Sequence, residues 1–153
     1  MTVRHHVGID PGVSGAVVLL SDQGRKVEKV LNAATLGDRV SFLRSVPRGS
    51  TFAAVEEVTT AIFGAGKSSC SKLYGSYREL LAVLLTLGLR HETVRPVVWQ
   101  RGVGVSARKK GETDTAWKNR LKAKAQALFH SEKVTLATAD ALLIAEYARR
   151  KFG

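Results

Sequence analysis

Thiols are almost absent from this sequence: Cys70 is the one cysteine among 153 residues. A lone cysteine closes no internal disulfide and builds no multi-thiolate zinc site, and no neighbour in the chain suits it as the base of a catalytic thiol. Long apolar runs are missing as well. None approaches the ~18–20 residues that span a bilayer, so no membrane partner is expected. The apolar strand that starts by Val7 leaves no stretch ahead of it for a targeting leader. Acids are the third scarcity, with 13 Asp and Glu against 24 Lys and Arg and a formal charge of +11. Such an excess repels itself unless a polyanion uses it. It is also uneven. Residues 1–89 hold 10 Lys and Arg against 7 acids, residues 90–153 hold 14 against 6, so the polyanion should meet the second half.

What is present reads as a folded α/β protein, expected to form one domain over 1–153. His6–Asp10, Ala16–Leu20 and Lys26–Leu31 read as an antiparallel meander, with Gly12–Gly15 and Asp22–Gly24 as turns. Leu36–Val46 suits a short helix with Leu36, Val40 and Leu43 inward. Thr51–Glu56 is a further strand, Thr59–Ser71 a Gly/Ser/Thr-rich loop, and Lys72–Leu87 a helix stopped by Gly88. Thr93–Trp99 is expected as an edge or late-starting strand, because Pro96 cannot donate to a ladder. Arg101–Glu112 is a basic loop, and Thr115–Phe129 and Ala137–Phe152 are the last helices. Trp99 and Trp117 are expected in the core, and Glu146 in solvent.

Three acids stand out among apolar neighbours. Asp10 ends the strand Val7-Gly8-Ile9, where an unpaired charge is expensive; on its own it suits a turn hydrogen bond equally well. Glu56 ends Ala53-Ala54-Val55, followed by Glu57, and strand alternation turns one of the two inward. Asp140 opens the helix Thr138-Ala139-Asp140-Ala141-Leu142, where the helix dipole also favours an acid. Gathered by the fold, the three repel, and a divalent cation held by oxygen ligands, Mg²⁺ or Mn²⁺, resolves that repulsion. Beside a polyanion this points to phosphodiester hydrolysis. Gly64-Ala65-Gly66-Lys67-Ser68 imitates a P-loop, but the glycine needed five residues before Gly66 is Ala61, so no nucleotide cofactor is expected. Arg108-Lys109-Lys110 suits phosphate contact, which positions nucleic acid without reading sequence. The four histidines show no metal-ligand spacing.

Val7-Gly8-Ile9-Asp10-Pro11-Gly12 with Ser14-Gly15, Ala54-Val55-Glu56, and Ala139-Asp140-Ala141-Leu142 with Ile144-Ala145 occur in order along the chain. Together they resemble the three acidic motifs of the RuvC-type Holliday junction resolvases. The resemblance implies an RNase H-like fold, a mixed five-stranded sheet flanked by helices, and a homodimer. It also implies magnesium-dependent paired nicking of opposed strands in four-way branched DNA, leaving a 5′-phosphate, with manganese as a substitute metal. Asp10, Glu56 and Asp140 match the metal carboxylates. A lysine before the last acid assists; Lys122 matches best, with Lys118 and Lys124 open. The loop after Glu56 carries an aromatic residue that disturbs base stacking at the crossover, a place that Phe63 fills, with Lys67 beside it. With Arg108, Lys109, Lys110, Lys118 and Lys124 these form the expected DNA contacts. The small size and absence of a leader fit the cytoplasm of a bacterial or phage-infected cell. One departure stands out: the family's second acid or histidine, one helical turn before the last aspartate, is Ala137 here. Two other readings stay open: an RNase H-like nuclease on other branched DNA or RNA–DNA hybrids, and a junction-binding protein without catalysis.

Overall fold

A computed structural model describes residues 3–32, 34–59 and 67–153. Five strands, β1 (His5–Ile9), β2 (Ala16–Ser21), β3 (Lys26–Asn32), β4 (Thr51–Glu56) and β5 (Arg90–Val94), form one sheet in the order β3-β2-β1-β4-β5. The meander β1–β2–β3 is antiparallel, while β4 and β5 run parallel to β1. Among the described residues five α-helices accompany it: α1 (Leu36–Arg44), α2 (Lys67–Thr86), α3 (Pro96–Gly102), α4 (Asp114–Leu128) and α5 (Leu136–Phe152).

The sheet separates two apolar layers. Val7, Ile9, Val17, Leu19, Ala53 and Val55 pack with α1 and α2. Ala16, Val18, Leu20 and Ala54 point the other way and pack with Trp99 of α3, Leu121 and Ala125 of α4, and the small-residue face of α5. Period-two alternation produces this division, and both faces are covered because the parallel strands of such a sheet are buried on both sides. β1 and β2 are accordingly buried at every position, whereas β3, at the edge, is mostly open to solvent. α5 starts cleanly: Thr135 and Thr138 form a reciprocal capping box.

Four expectations need correction. The strand expected over Thr93–Trp99 is β5 up to Val94, and from Pro96 the chain is α3. Proline at the first helical position loses no bond and already has a helical φ, so it opens a helix here instead of marking a strand edge. The loop expected over Thr59–Ser71 is helical from Lys67. Cys70 is buried seven residues before Tyr77, ten before Leu80 and fourteen before Leu84, so it lies on the same helical stripe. In α1 the buried face is Arg39, Phe42 and Leu43, and Leu36 is exposed. Glu146 is fully buried rather than solvated. Arg149 and Arg150 each approach its carboxylate to 2.8 Å, and Arg25 to 3.3 Å. A charge removed from water is tolerated only when paired in this way.

Candidate active site

Alternation settles which acids can meet. Val7 and Ile9 face α1 and α2, so Gly8 and, beyond the strand end, Asp10 face α5. On β4, Ala53 and Val55 face α2, so Ala54 and Glu56 face α5. Ile9 is paired with Val55 in the parallel ladder, so Asp10 and Glu56 leave neighbouring strands side by side. The indole of Trp99, in the α5-side core, donates to Glu56 Oε2 over 2.8 Å. Asp140 arrives from α5, between buried Ala139 and Ala141.

The three carboxylates are partly buried; Glu56 feels the charges of Asp10 and Asp140, and Asp140 feels that of Asp10. Burial pushes Glu56 up to about 8, with the charges of Asp10 and Asp140 adding to the rise and the Trp99 bond opposing it. Burial, then the charge of Asp10, pushes Asp140 up to about 7, against the pull of Lys118. Burial also raises Asp10, against the Gly12 N–H and the charges of Arg39 and Lys118. Among the described residues none of the three takes part in a salt bridge. Among the same residues, no three His, Cys, Asp or Glu side chains are grouped closely enough to hold a metal ion. The acids therefore lie within Coulomb range of one another without sharing a coordination point as their side chains stand.

The turn after β1 is built around Asp10. The Asp10 N–H donates to Ala16 O (3.0 Å), the Gly15 N–H to Gly12 O (2.9 Å), and the Gly12 N–H to Asp10 Oδ1 (3.1 Å). A Cβ on Gly15 would stand 2.3 Å from Asp10 O and 2.9 Å from its Cγ, so only glycine fits there. Arg39 and Ser76 brace the turn from α1 and α2: Arg39 donates to Ser76 Oγ (2.8 Å) and Gly12 O (3.1 Å), and Ser76 donates to Pro11 O (2.9 Å).

Sequence reasoning missed Arg39, Ser76 and the polar role of Trp99. One signal was available for Arg39: it precedes Phe42 and Leu43 by three and four residues, so an arginine occupies a core-phase position.

Ala137 sits on α5 one turn before Asp140, as expected. Of the lysines on α4, Lys118 is the one whose charge acts on Asp10 and Asp140. Lys122, one turn further on, is partly buried. Lys124 Nζ would lie 3.5 Å from a Cβ on Gly104, tying α4 to the basic loop.

Arg120 makes more bonds to that loop than Arg108 does. Arg120 grips both carboxylate oxygens of Glu112 at 3.0 and 2.9 Å and also bonds Ser106 and Ala107. These bonds pull Glu112 down to about 2. Arg120 also stacks on Trp117, 4.5 Å from the ring centroid. Arg108 is engaged by Glu112 O and Asp114, while Lys109 and Lys110 are exposed. Phe63 lies outside the described residues. Lys67 opens α2.

Solved structures of Thermus thermophilus RuvC have the same architecture. One, in complex with a Holliday junction substrate, has a TM-score of 0.59 at 16% sequence identity, covering 94% of this chain and 91% of that chain. A second, of RuvC, has a TM-score of 0.57 at 15% identity, covering 94% and 92%. The fold is the RNase H-like fold of RuvC. No family model and no curated protein matches the sequence. Within this RuvC-like fold, Asp10 and Glu56 sit at the carboxyl ends of adjacent parallel strands, the end at which open α/β sheets bind their ligands. Among the described residues, no helix is long and apolar enough to cross a membrane.

Proposed function

We propose that this chain is a structure-selective DNA endonuclease that resolves four-way (Holliday) junctions by metal-dependent nicking of opposed strands. The observation that carries the reading is the convergence of Asp10 and Glu56, at the ends of adjacent parallel strands, with Asp140 of α5 on the same side of the sheet, where Glu56 feels the charges of both aspartates and Lys118 of the basic helix acts on Asp10 and Asp140. Three partly buried carboxylates with no cationic partner in contact among the described residues are a donor set for a hard, oxygen-seeking dication, Mg²⁺ or Mn²⁺. Loading requires the side chains to draw together from their present positions. Once bound, such an ion supplies Lewis acidity at a phosphodiester and a water acidic enough to act near neutral pH. The chain's own residues do the rest. Asp10 and Glu56 are fixed at strand ends and Asp140 on a capped helix. Trp99 orients Glu56, and Lys118 offsets negative charge as the phosphate enters. Lys109, Lys110, Lys118 and Lys124 hold the DNA backbone without reading sequence, Lys67 contacts the DNA near the junction, and Phe63 takes the part of the crossover aromatic that the family resemblance implies.

Paired nicking needs two sites, and a homodimer provides them. An exposed apolar side chain on α2 supports this: Leu85 is 74% exposed and lines a hollow with Arg78, Leu81, Ala82 and His91. A junction-binding protein without catalysis is the second reading, favoured by Ala137 and by the separation of the acids.

One assay separates the readings. The protein is mixed with mobile four-way junction, flap, duplex and RNA–DNA hybrid, with and without Mg²⁺ or Mn²⁺. Symmetric metal-dependent nicks in the junction support the proposal. Preference for hybrid or flap moves the activity to another nuclease class, and tight junction binding with no cleavage in either metal leaves the binding-only reading.

A further inference from the structure

Arg39 is a buried guanidinium, 6% exposed, and among the described residues it has no carboxylate in salt-bridge range. Its recorded acceptors are neutral oxygens, and they belong to the Asp10 turn or to the residue that braces it. One nitrogen donates to Ser76 Oγ (2.8 Å), and another donates to Gly12 O (3.1 Å). Ser76 then donates its own proton to Pro11 O (2.9 Å). The Pro11 carbonyl and the Gly12 N–H are the two polar ends of one planar peptide unit. That N–H is the group that donates to Asp10 Oδ1 (3.1 Å).

A continuous run of donors thus leads from Arg39, through Ser76 and the Pro11–Gly12 peptide, to Asp10. All its bonds point the same way, so each polarises the next. The last one meets a carboxylate, where such polarisation counts most. Desolvating a guanidinium for the sake of helix packing alone is a poor arrangement, since an apolar side chain in step with Phe42 and Leu43 would serve that end better.

We propose that Arg39 and Ser76 are positioning residues that set the orientation of the Asp10 carboxylate through the Pro11–Gly12 peptide. They hold Oδ1 in place so that the carboxylate is already aimed when a cation and a phosphodiester arrive. The aim toward a cation rests on the function proposed above; the relay itself does not.

The test uses the full chain with Ser76→Ala and Arg39→Lys. Amide exchange is followed by NMR at Gly12 and, as a control, at Val7 in the middle of β1, alongside Mn²⁺ affinity, junction affinity and kcat. In Ser76→Ala, Gly12 should exchange ~10-fold faster with Val7 unchanged. Mn²⁺ affinity should fall ~10-fold or more, as when the partner of a metal-ligating side chain is removed. The kcat should fall while junction affinity is kept. Arg39→Lys keeps the charge but cannot reach Ser76 Oγ and Gly12 O with one planar fork, so it should resemble Ser76→Ala rather than the parent. Wild-type exchange at Gly12 in Ser76→Ala, or equal acceleration at Gly12 and Val7, overturns the relay. If Arg39→Lys fails to fold, Ser76→Ala decides alone. If the parent protein neither binds Mn²⁺ nor cuts, the proposed function fails while Gly12 exchange still judges the relay.

Discussion

Gly8 and Ala141 are in backbone contact: a Cβ placed on Gly8 would stand 2.1 Å from the Ala141 carbonyl oxygen. It would also come within 2.3 Å of Ala145 N, so β1 and α5 lie as close as two backbones can. Asp10 follows Gly8 by two residues and Asp140 precedes Ala141 by one, and this contact brings the acids of strand and helix into each other's field. Gly8→Ala should force α5 outward. Overpacking of this kind costs roughly 1–3 kcal/mol and occasionally more. For a chain of this size ~3 kcal/mol lowers Tm by roughly 6–12 °C, and cleavage should fall further than stability explains. A melting curve superimposable on the parent's would mean that the helix yields without cost and that the contact positions nothing.

Trp99→Phe removes the donor to Glu56 Oε2 and, because Trp99 is fully buried, also leaves a cavity in the α5-side core whose cost adds to that of the lost bond. The indole bond opposes the rise of the Glu56 pKa, so its loss should raise that pKa further. Losing the bond should cost about 1 kcal/mol of stability. Metal affinity near pH 7 should drop, because a larger share of Glu56 is protonated. ¹³C-detected titration of the Glu56 carboxyl reads the shift directly; an unchanged or lowered midpoint contradicts the role given to Trp99.

Asp10, Glu56 and Asp140 were legible in the sequence as candidates because Asp10 and Glu56 end apolar strands and Asp140 opens an apolar helix, local signals that need no coordinates. The division of the sheet into two faces followed equally from alternation. What stayed hidden depends on distance through space. No spacing rule ties Arg39 to Gly12 and Ser76, 27 and 37 residues away, or Trp99 to Glu56 across 43. The burial of Glu146 was hidden in part for the same reason: Arg149 and Arg150 are near in sequence, but its third partner, Arg25, lies far off in the chain. Pro96 misled because one residue type serves both at strand edges and at helix starts, and here it opens the helix that buries Trp99 in the α5-side core.

The pH dependence of the metal-free protein follows from three shifted groups. Glu56 and Asp140 have folded-state values of about 8 and about 7, above their ordinary 4.5 and 3.8. The folded state therefore holds more protons than the unfolded one across that range, and stability falls as pH rises from about 4 toward 8. His6 is lowered by burial from 6.5 to about 4, so it costs stability as pH falls below 6.5. Because His6 offsets only one of the two protons that the acids retain, stability should be highest near pH 4 and lose on the order of 1–3 kcal/mol by pH 8, the two acids titrating as a coupled pair. Urea unfolding in EDTA at pH 4, 6 and 8 measures it. Mg²⁺ should restore stability at pH 8 more than at pH 5. Stability that climbs steadily from pH 5 to 8 without metal would show that the acids do not repel in the folded chain.

Lys118 and Lys122 stand one turn apart on α4, yet only Lys118 acts on the acids. Lys118→Ala should lower kcat by about 10²-fold, the scale on which a preorganised charge at a phosphoryl site acts. It should also raise the Asp140 pKa. Lys122→Ala should leave both within about three-fold and change junction affinity only slightly. The reverse order would return the assisting role to Lys122.

The basic loop offers a case in which charge and order pull in opposite directions. Replacing both Lys109 and Lys110 by alanine should weaken junction binding and reduce the slope of log K against log salt by roughly 1.8, the value for two lost phosphate contacts. Glu112→Ala also changes the charge, but adds one net positive unit. If charge alone mattered, that variant would bind DNA more tightly. Glu112, however, is the anchor that Arg120 grips with two bonds, and it also accepts the backbone N–H of Lys109. Removing it frees the segment that presents the two lysines, and ordering it again on DNA costs entropy. Binding should therefore weaken about three- to ten-fold despite the added charge, with the salt slope unchanged. Tighter binding by Glu112→Ala would mean that the loop acts as unstructured positive charge and that the Arg120 fork does not serve the DNA contact.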